Sequence, residues 1–185
     1  MINSFIIPAL SSHQMVRSFI KTDHEIGILM NFQLAQLESL IQELKEAGKK
    51  VFVHLELIKG LSNDEYGAIY LIQEFNVDGI ITTKPKVIEL CRKRNTFGIL
   101  RFFLKDTLSL EQSLEMMSYQ HPDAVEILPA IPKMVDLVKN HIAVPVILGG
   151  LIKTEEEVNA AYEAGAMAVT TSNKALWSIK KPSQI

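Results

Sequence analysis

Two short apolar runs toward the C-terminus, VPVILGG (144–150) and AVTTSN (168–173), each finish in residues that offer a ligand main chain and hydroxyls and little else. Gly149 and Gly150 have no Cβ, so the backbone there can approach a ligand closely and present its N–H groups. Thr171, Ser172 and Asn173 lead into a short helix expected from about Lys174. A helix N-terminus carries unpaired N–H groups and partial positive charge, which favour an anion. Together the two stretches suit a phosphate cradle. A tight turn at Gly149-Gly150 and a plain N-cap at Asn173 would explain the same residues without a ligand.

Other polar residues interrupt otherwise apolar runs. In VFVHLEL (51–57), His54 and Glu56 are two apart and share a strand face opposite Val53, Leu55 and Leu57. Buried there, each needs water, a partner or a ligand; core pairing suits His54 and ligand contact suits Glu56. In GILRFFL, Arg101 shares its face with Ile99 and Phe103, and its guanidinium fork suits carboxylates and phosphates. In AVEILP, Glu126 shares its face with Ala124 and Leu128. An Arg101–Glu126 pair between adjacent strands would tie the sheet and could also hold one partner in place for a ligand. Lys84 is either a point charge for a phosphate or a solvated residue ahead of Pro85, and Asp106 reads as the cap of a helix starting near Thr107. The histidines (His13, His24, His54, His121, His141) lack metal-ligand spacing. Neither nucleotide-binding glycine loop occurs, and no serine or cysteine has a nucleophile setting. No catalytic residue and no metal site is assigned.

These residues need elements to position them, and the chain supplies an alternation of β-branched runs and amphipathic segments. Strands are expected at 5–9, 26–31, 50–57, 79–82, 97–103, 124–128, 144–148 and 167–171. Several are nearly all apolar, as strands covered on both faces are. Between them, Leu34, Leu37, Leu40, Ile41 and Leu44 form one helical stripe that stops at Gly48, and Val87, Ile88 and Cys91 form another. TEEE (154–157) and SNDE (62–65) read as capping boxes. Strand–helix alternation implies parallel strands with right-handed crossovers. Eight units in 185 residues is about 23 residues each, tight against the roughly 250 of a usual (β/α)8 barrel. The expectation is therefore a compact TIM-like (β/α)8 barrel, one domain over 1–185, with stunted first (12–21) and last helices. An open doubly wound sheet is the alternative. In a barrel, ligands meet the C-terminal ends of strands, with phosphates often held after strands seven and eight.

Composition narrows the partners. Hydrophobic residues make up 48% and charged residues 22%, ordinary for a folded protein. No apolar run approaches a membrane span of about 20 residues, and the N-terminal stretch lacks a basic signal-peptide region. The single cysteine, Cys91, fits a reducing compartment, so a cytoplasmic location is expected. A net charge of −2 gives no general basic surplus for nucleic acid, so any RNA partner must use a local patch.

On specific motifs the chain resembles the glycerol-3-phosphate-responsive antiterminators of the glycerol uptake operon. That family's His-x-Asp-Leu-Ile-x-Gly-Leu pattern is seen as HLELIKGL, with Glu56 for the aspartate. GIITTK ends at Lys84, RFFLKD covers 101–106, and EILPA carries Ala130 where the family has glycine. The ending LGGLI…AGAMAVTTSNKALW, up to Trp177, is the most distinctive match. The resemblance implies a regulator rather than an enzyme, binding glycerol 3-phosphate as effector and leader mRNA as partner, with no cofactor. It assigns Gly149, Gly150, Thr171, Ser172 and Asn173 to the phosphate, and Glu56, Arg101 and Glu126 to the glycerol end or its ordering. A glutamate in place of aspartate moves the carboxylate by about one C–C bond, ~1.5 Å. For the RNA, Arg92, Lys93 and Arg94 and the set Lys174, Lys180 and Lys181 are basic clusters, and Trp177 and Tyr119 are stacking candidates. Two other readings remain: a phosphate-barrel enzyme for a triose or polyol phosphate, with Glu56 or Glu126 as base and His54 as acid, and an interaction scaffold with a vestigial site.

Overall fold

The computed structural model describes residues 2 and 4–179. Strands β1 (Ile6–Leu10), β2 (Ile26–Leu29), β3 (Lys50–His54), β4 (Gly79–Thr82), β5 (Phe97–Phe103), β6 (Ala124–Leu128), β7 (Val146–Gly149) and β8 (Ala168–Thr171) pair in parallel in sequence order, and β8 closes on β1. Helices α1 (His13–Ile20), α2 (Leu34–Glu46), α3 (Glu65–Phe75), α4 (Pro85–Lys93), α5 (Thr107–Tyr119), α6 (Pro132–Lys139) and α7 (Glu155–Glu163) cover the outside. The fold is the closed TIM-like barrel, not the open sheet. A three-residue 3-10 turn, Lys174–Leu176, stands where an eighth helix would be.

Strand alternation divides the apolar residues into two cores. Outward-facing Val51, Val53, Ile80, Leu100, Val125, Leu148 and Val169 pack under the helices, against stripes such as Leu37, Leu40, Ile41 and Leu44 of α2. Ile7, Ile26, Ile28, Phe52, Ile81, Ile99, Ala124, Ile147 and Ala168 fill the barrel interior. Two residues further along β3, β5, β6 and β8 the inward positions become His54, Arg101, Glu126 and Thr170. An apolar plug thus carries a polar layer at the C-terminal end.

Two boundaries differ from the sequence pattern. β3 stops at His54 and the chain tightens into a 3-10 turn over Leu55–Leu57, because Glu56 swings across to the end of β4. Helix α3 is capped by Asp64, which accepts from the Tyr66 and Gly67 N–H groups, and not by Ser62. The Ser62 carbonyl folds back onto Gly67, where a Cβ would sit 1.9 Å from it, so the helix cannot start earlier. The Thr154–Glu157 capping box and the Asp106 cap form as the sequence indicates.

Candidate ligand site

The polar layer is a linked set of side chains. Arg101 and Glu126 sit opposite each other in the β5–β6 register, with Arg101 Nε 3.4 Å from Glu126 Oε2. The Thr170 hydroxyl donates to Glu126 Oε1 at 2.6 Å, fixing that carboxylate from the other side. On its far side the Arg101 guanidinium contacts His54 Nε2, and His54 Nδ1 lies 3.5 Å from Glu56 Oε2. The outer oxygen of Glu56, Oε1, accepts from the Thr82 hydroxyl (2.8 Å), the Thr83 N–H (2.6 Å) and the Thr83 hydroxyl (3.0 Å). The Arg101 and Glu126 side chains are only 15% and 7% exposed, so the pair interacts with little water screening.

Burial pushes the Glu56 carboxyl up. The His54 ring beside it and the Thr83 and Thr82 donors outweigh that cost, and its pKa falls from the usual 4.5 to about 2. It is therefore a fixed anion at neutral pH.

Above this layer lies a cavity of about 180 Å³. Its floor and wall include His54, Arg101, Glu126 and Thr170, and its rim includes Gly150, Thr171 and Ser172. Several wall atoms (Arg101 Nε, Glu126 Oε2 and His54 Nδ1) are buried without a hydrogen-bond partner. Each faces a charged neighbour instead: Arg101 Nε and Glu126 Oε2 face each other at 3.4 Å, and His54 Nδ1 faces Glu56 Oε2 at 3.5 Å. Apolar contact comes from Ala9, Ile28, Ile81 and Ile152. At the rim the backbone turns left-handed at Gly150 (φ 76°) and again at Leu151 (φ 62°), a conformation unusual for leucine.

Of the residues singled out from sequence, Arg101, Glu126, Gly150, Thr171 and Ser172 line the cavity. Glu56 stands behind His54, spending one oxygen on β4. Gly149 does not line the cavity. A Cβ there would lie 2.6 Å from Glu126 Oε1 and 2.7 Å from Thr170 Oγ1, so the glycine makes room for that hydrogen bond. Asn173 caps the turn after β8 by accepting from the Ala175 N–H, and donates to the Lys153 carbonyl. Lys84 is exposed at the start of α4, outside the lining. The family's glycine position, Ala130, is not among the residues with positive φ, so its methyl group is accommodated. Thr170, within the AVTTSN run, points inward by period-two alternation from Ala168 and also lines the cavity, whereas Leu151 lines it without any sequence signal.

The surface candidates fall differently. Trp177 is 6% exposed, its indole N–H donating to the Thr171 carbonyl at 3.3 Å, so it belongs to the core rather than to a stacking surface. Arg92, Lys93 and Arg94 are exposed at the C-terminal end of α4, where they complement the helix dipole at the end of the barrel away from the cavity. Lys174 donates to the Ser18 hydroxyl. Lys180, Lys181 and the side chain of Tyr119 lie outside the described residues. Among the described residues no three acidic, histidine or cysteine side chains converge as a metal site, and no helix is long and apolar enough to cross a membrane.

The family described as glycerol-3-phosphate responsive antiterminator matches residues 6–177. A crystal structure of the glycerol uptake operon antiterminator regulatory protein from Listeria monocytogenes superposes with a TM-score of 0.91 at 36% identity, covering 95% of both chains. A related protein from Thermotoga maritima superposes with a TM-score of 0.85 at 28% identity, covering 95% of this chain and 99% of that one. The Escherichia coli K12 protein YgcP is 30% identical over 177 residues, 95% of this chain and 93% of its own length.

Proposed function

This chain belongs to the glycerol-3-phosphate-responsive antiterminator family, and from that premise we propose that it senses glycerol 3-phosphate and acts on leader mRNA, without catalysis. The observation that carries the reading is the small cavity lined by the Arg101–Glu126 pair on one side and by Gly150, Thr171 and Ser172 at the rim. A carboxylate oxygen accepts from a polyol hydroxyl and a guanidinium N–H donates to a hydroxyl or phosphate oxygen, so both suit the glycerol end. The phosphate then takes the rim, against the main chain around Gly150 and the Thr171–Ser172 step. The cavity, about 180 Å³, has room for a small phosphorylated polyol. Glu56, Lys84, Gly149 and Asn173 act from outside the lining, Glu56 by fixing His54 and Gly149 by admitting the Glu126–Thr170 bond.

Electrostatics count against Glu56 as the base of the enzyme reading. A general base works best with a pKa near the operating pH, and Glu56, held at about 2, is a poor acceptor for a carbon-bound proton. A regulator of transcripts works in the cytoplasm.

The test is a melting series with glycerol 3-phosphate, glycerol and inorganic phosphate. Saturation at 100 times Kd stabilises by about 2.7 kcal/mol, which for a chain this size raises Tm by roughly 5–10 °C. Glycerol 3-phosphate alone should do so. Equal shifts with inorganic phosphate, or none with any of the three, would overturn the assignment, and turnover of a phosphorylated triose would restore the enzyme reading.

A further inference from the structure

The loops around the cavity mouth are not equivalent. After β4, β5 and β6 they carry Lys84 and Lys86, Lys105, and Lys133, all exposed. Between each of these strands and the end of the first turn of its helix the one acidic residue is Asp106, which accepts from the Ser109 N–H at 2.8 Å and offsets Lys105. Glu89 and Asp136 follow just beyond the first turns of α4 and α6, Asp136 paired with Lys139. After β3 and β7, by contrast, Lys59 is offset by Asp64 and Glu65, and Lys153 by Glu155, Glu156 and Glu157. A chain with net charge −2 therefore holds a positive crescent over three adjacent strands. Packed helices lie about 8–10 Å apart, about one Debye length at physiological salt, so lysines on neighbouring helices reinforce one another, while those at the two ends of the crescent act on separate phosphates.

The same crescent exposes apolar groups. Phe103 is 46%, Leu108 61% and Ile131 43% exposed. The segments that carry them are laced together and to the cavity: the Leu104 N–H donates to the Leu128 carbonyl (2.9 Å) and the Ala130 N–H to the Gly150 carbonyl (3.3 Å). Leu128 and Gly150 both line the cavity.

We propose that this crescent, Lys84, Lys86, Lys105 and Lys133 around Phe103 and Ile131, is where a single-stranded segment of RNA docks. The proposal rests on the sensor reading above for the kind of partner and on charge complementarity for the place. A strand offers phosphates to the lysines and base faces to the Phe103 ring, the combination that single-strand binding surfaces use. A second copy of this chain fits worse, because a symmetric contact would set lysine against lysine. The crescent also has a physical connection to the ligand. The Arg101 guanidinium lies 4.9 Å from the Phe103 ring centroid while the same side chain lines the cavity. An occupant drawing on Arg101 changes what that ring stacks on, so the pose of an exposed aromatic follows cavity occupancy.

The experiment selects RNA from a random-sequence pool on the unaltered chain with glycerol 3-phosphate present, then measures affinity by fluorescence anisotropy across a salt series. In the Lys105→Gln/Lys133→Gln chain the slope of log K against log salt should be shallower by about 1.4, since each phosphate contact on a single strand contributes about 0.7. Phe103→Ala should weaken binding about tenfold and shrink the difference between liganded and ligand-free affinities. Lys105 and Lys133 are exposed and outside the cavity lining, so the double variant should melt with the unaltered chain and keep its glycerol 3-phosphate shift. Phe103→Ala, whose ring lies on Arg101, is read by its RNA affinity with and without glycerol 3-phosphate. An enriched RNA that binds the double variant with unchanged slope overturns the docking surface and leaves the sensor reading standing. Failure of any RNA to enrich on the unaltered chain overturns the RNA half of that reading and this surface with it. A change in the variant's sedimenting mass at constant RNA affinity would mark the crescent as a self-association face, which also overturns the proposal.

Discussion

Gly149 and Gly150 are neighbours with opposite duties. Gly150 shows its backbone to the cavity, while Gly149 leaves room for the 2.6 Å hydrogen bond between Thr170 and Glu126. A methyl group at Gly149 would press on both oxygens and separate them. Gly149→Ala should therefore destabilise by about 2 kcal/mol through overpacking, seen as a fall of roughly 4–8 °C in Tm, and should weaken glycerol 3-phosphate in titration calorimetry. An unchanged melt would show that the Glu126 carboxylate does not need that space. From sequence, a pair of glycines at a strand end signals close approach, and that much is legible. Which glycine meets the ligand and which meets the protein depends on the neighbouring strands, and no local pattern encodes it.

Glu56 belongs to the scale of elements, since it binds the turn after β3 to the end of β4 through Thr82 and Thr83. Its pKa is lowered on folding from 4.5 to about 2, so its contribution is complete above pH 4.5 and is lost as the pH falls from there toward 2. At 18% side-chain exposure that contribution is on the order of 3 kcal/mol. Urea unfolding between pH 5 and 2 (about the range set by the two pKa values) should show it, and Glu56→Gln should lose this part of the acid dependence. Identical acid limbs in the two chains would remove the tie. The strand–helix alternation was fully legible, because covered parallel strands read as apolar runs and the helices carry clear stripes. The end of β3 was not, because VFVHLEL continues the strand pattern past His54 and only a contact with β4, distant in sequence, breaks it. The α3 cap was hidden similarly: SNDE offers two acceptable caps, and the fold-back of the Ser62 carbonyl onto Gly67 selects Asp64.

Across the whole molecule, the barrel separates stability from recognition along its axis. The lower interior is apolar and the upper interior polar, and every helix starts at the mouth end, next to the cavity and the lysine crescent. Closure through β8–β1 leaves no free sheet edge, so contacts with partners fall to the loops and helix faces. The composition showed that a polyanion would need a local patch, but not where, since only the strand order brings Lys84, Lys86, Lys105 and Lys133 to one side of the mouth.

The chain's one tryptophan, Trp177, sits against Phe19 with its indole N–H on the carbonyl of Thr171, a cavity residue. The protein therefore holds an intrinsic fluorophore one hydrogen bond from the rim. Titrating the effector should alter its emission without any dye attached, and the change should vanish in Trp177→Phe. A flat signal through a saturating titration that still raises Tm would mean that β8 stays rigid and the message leaves by another strand.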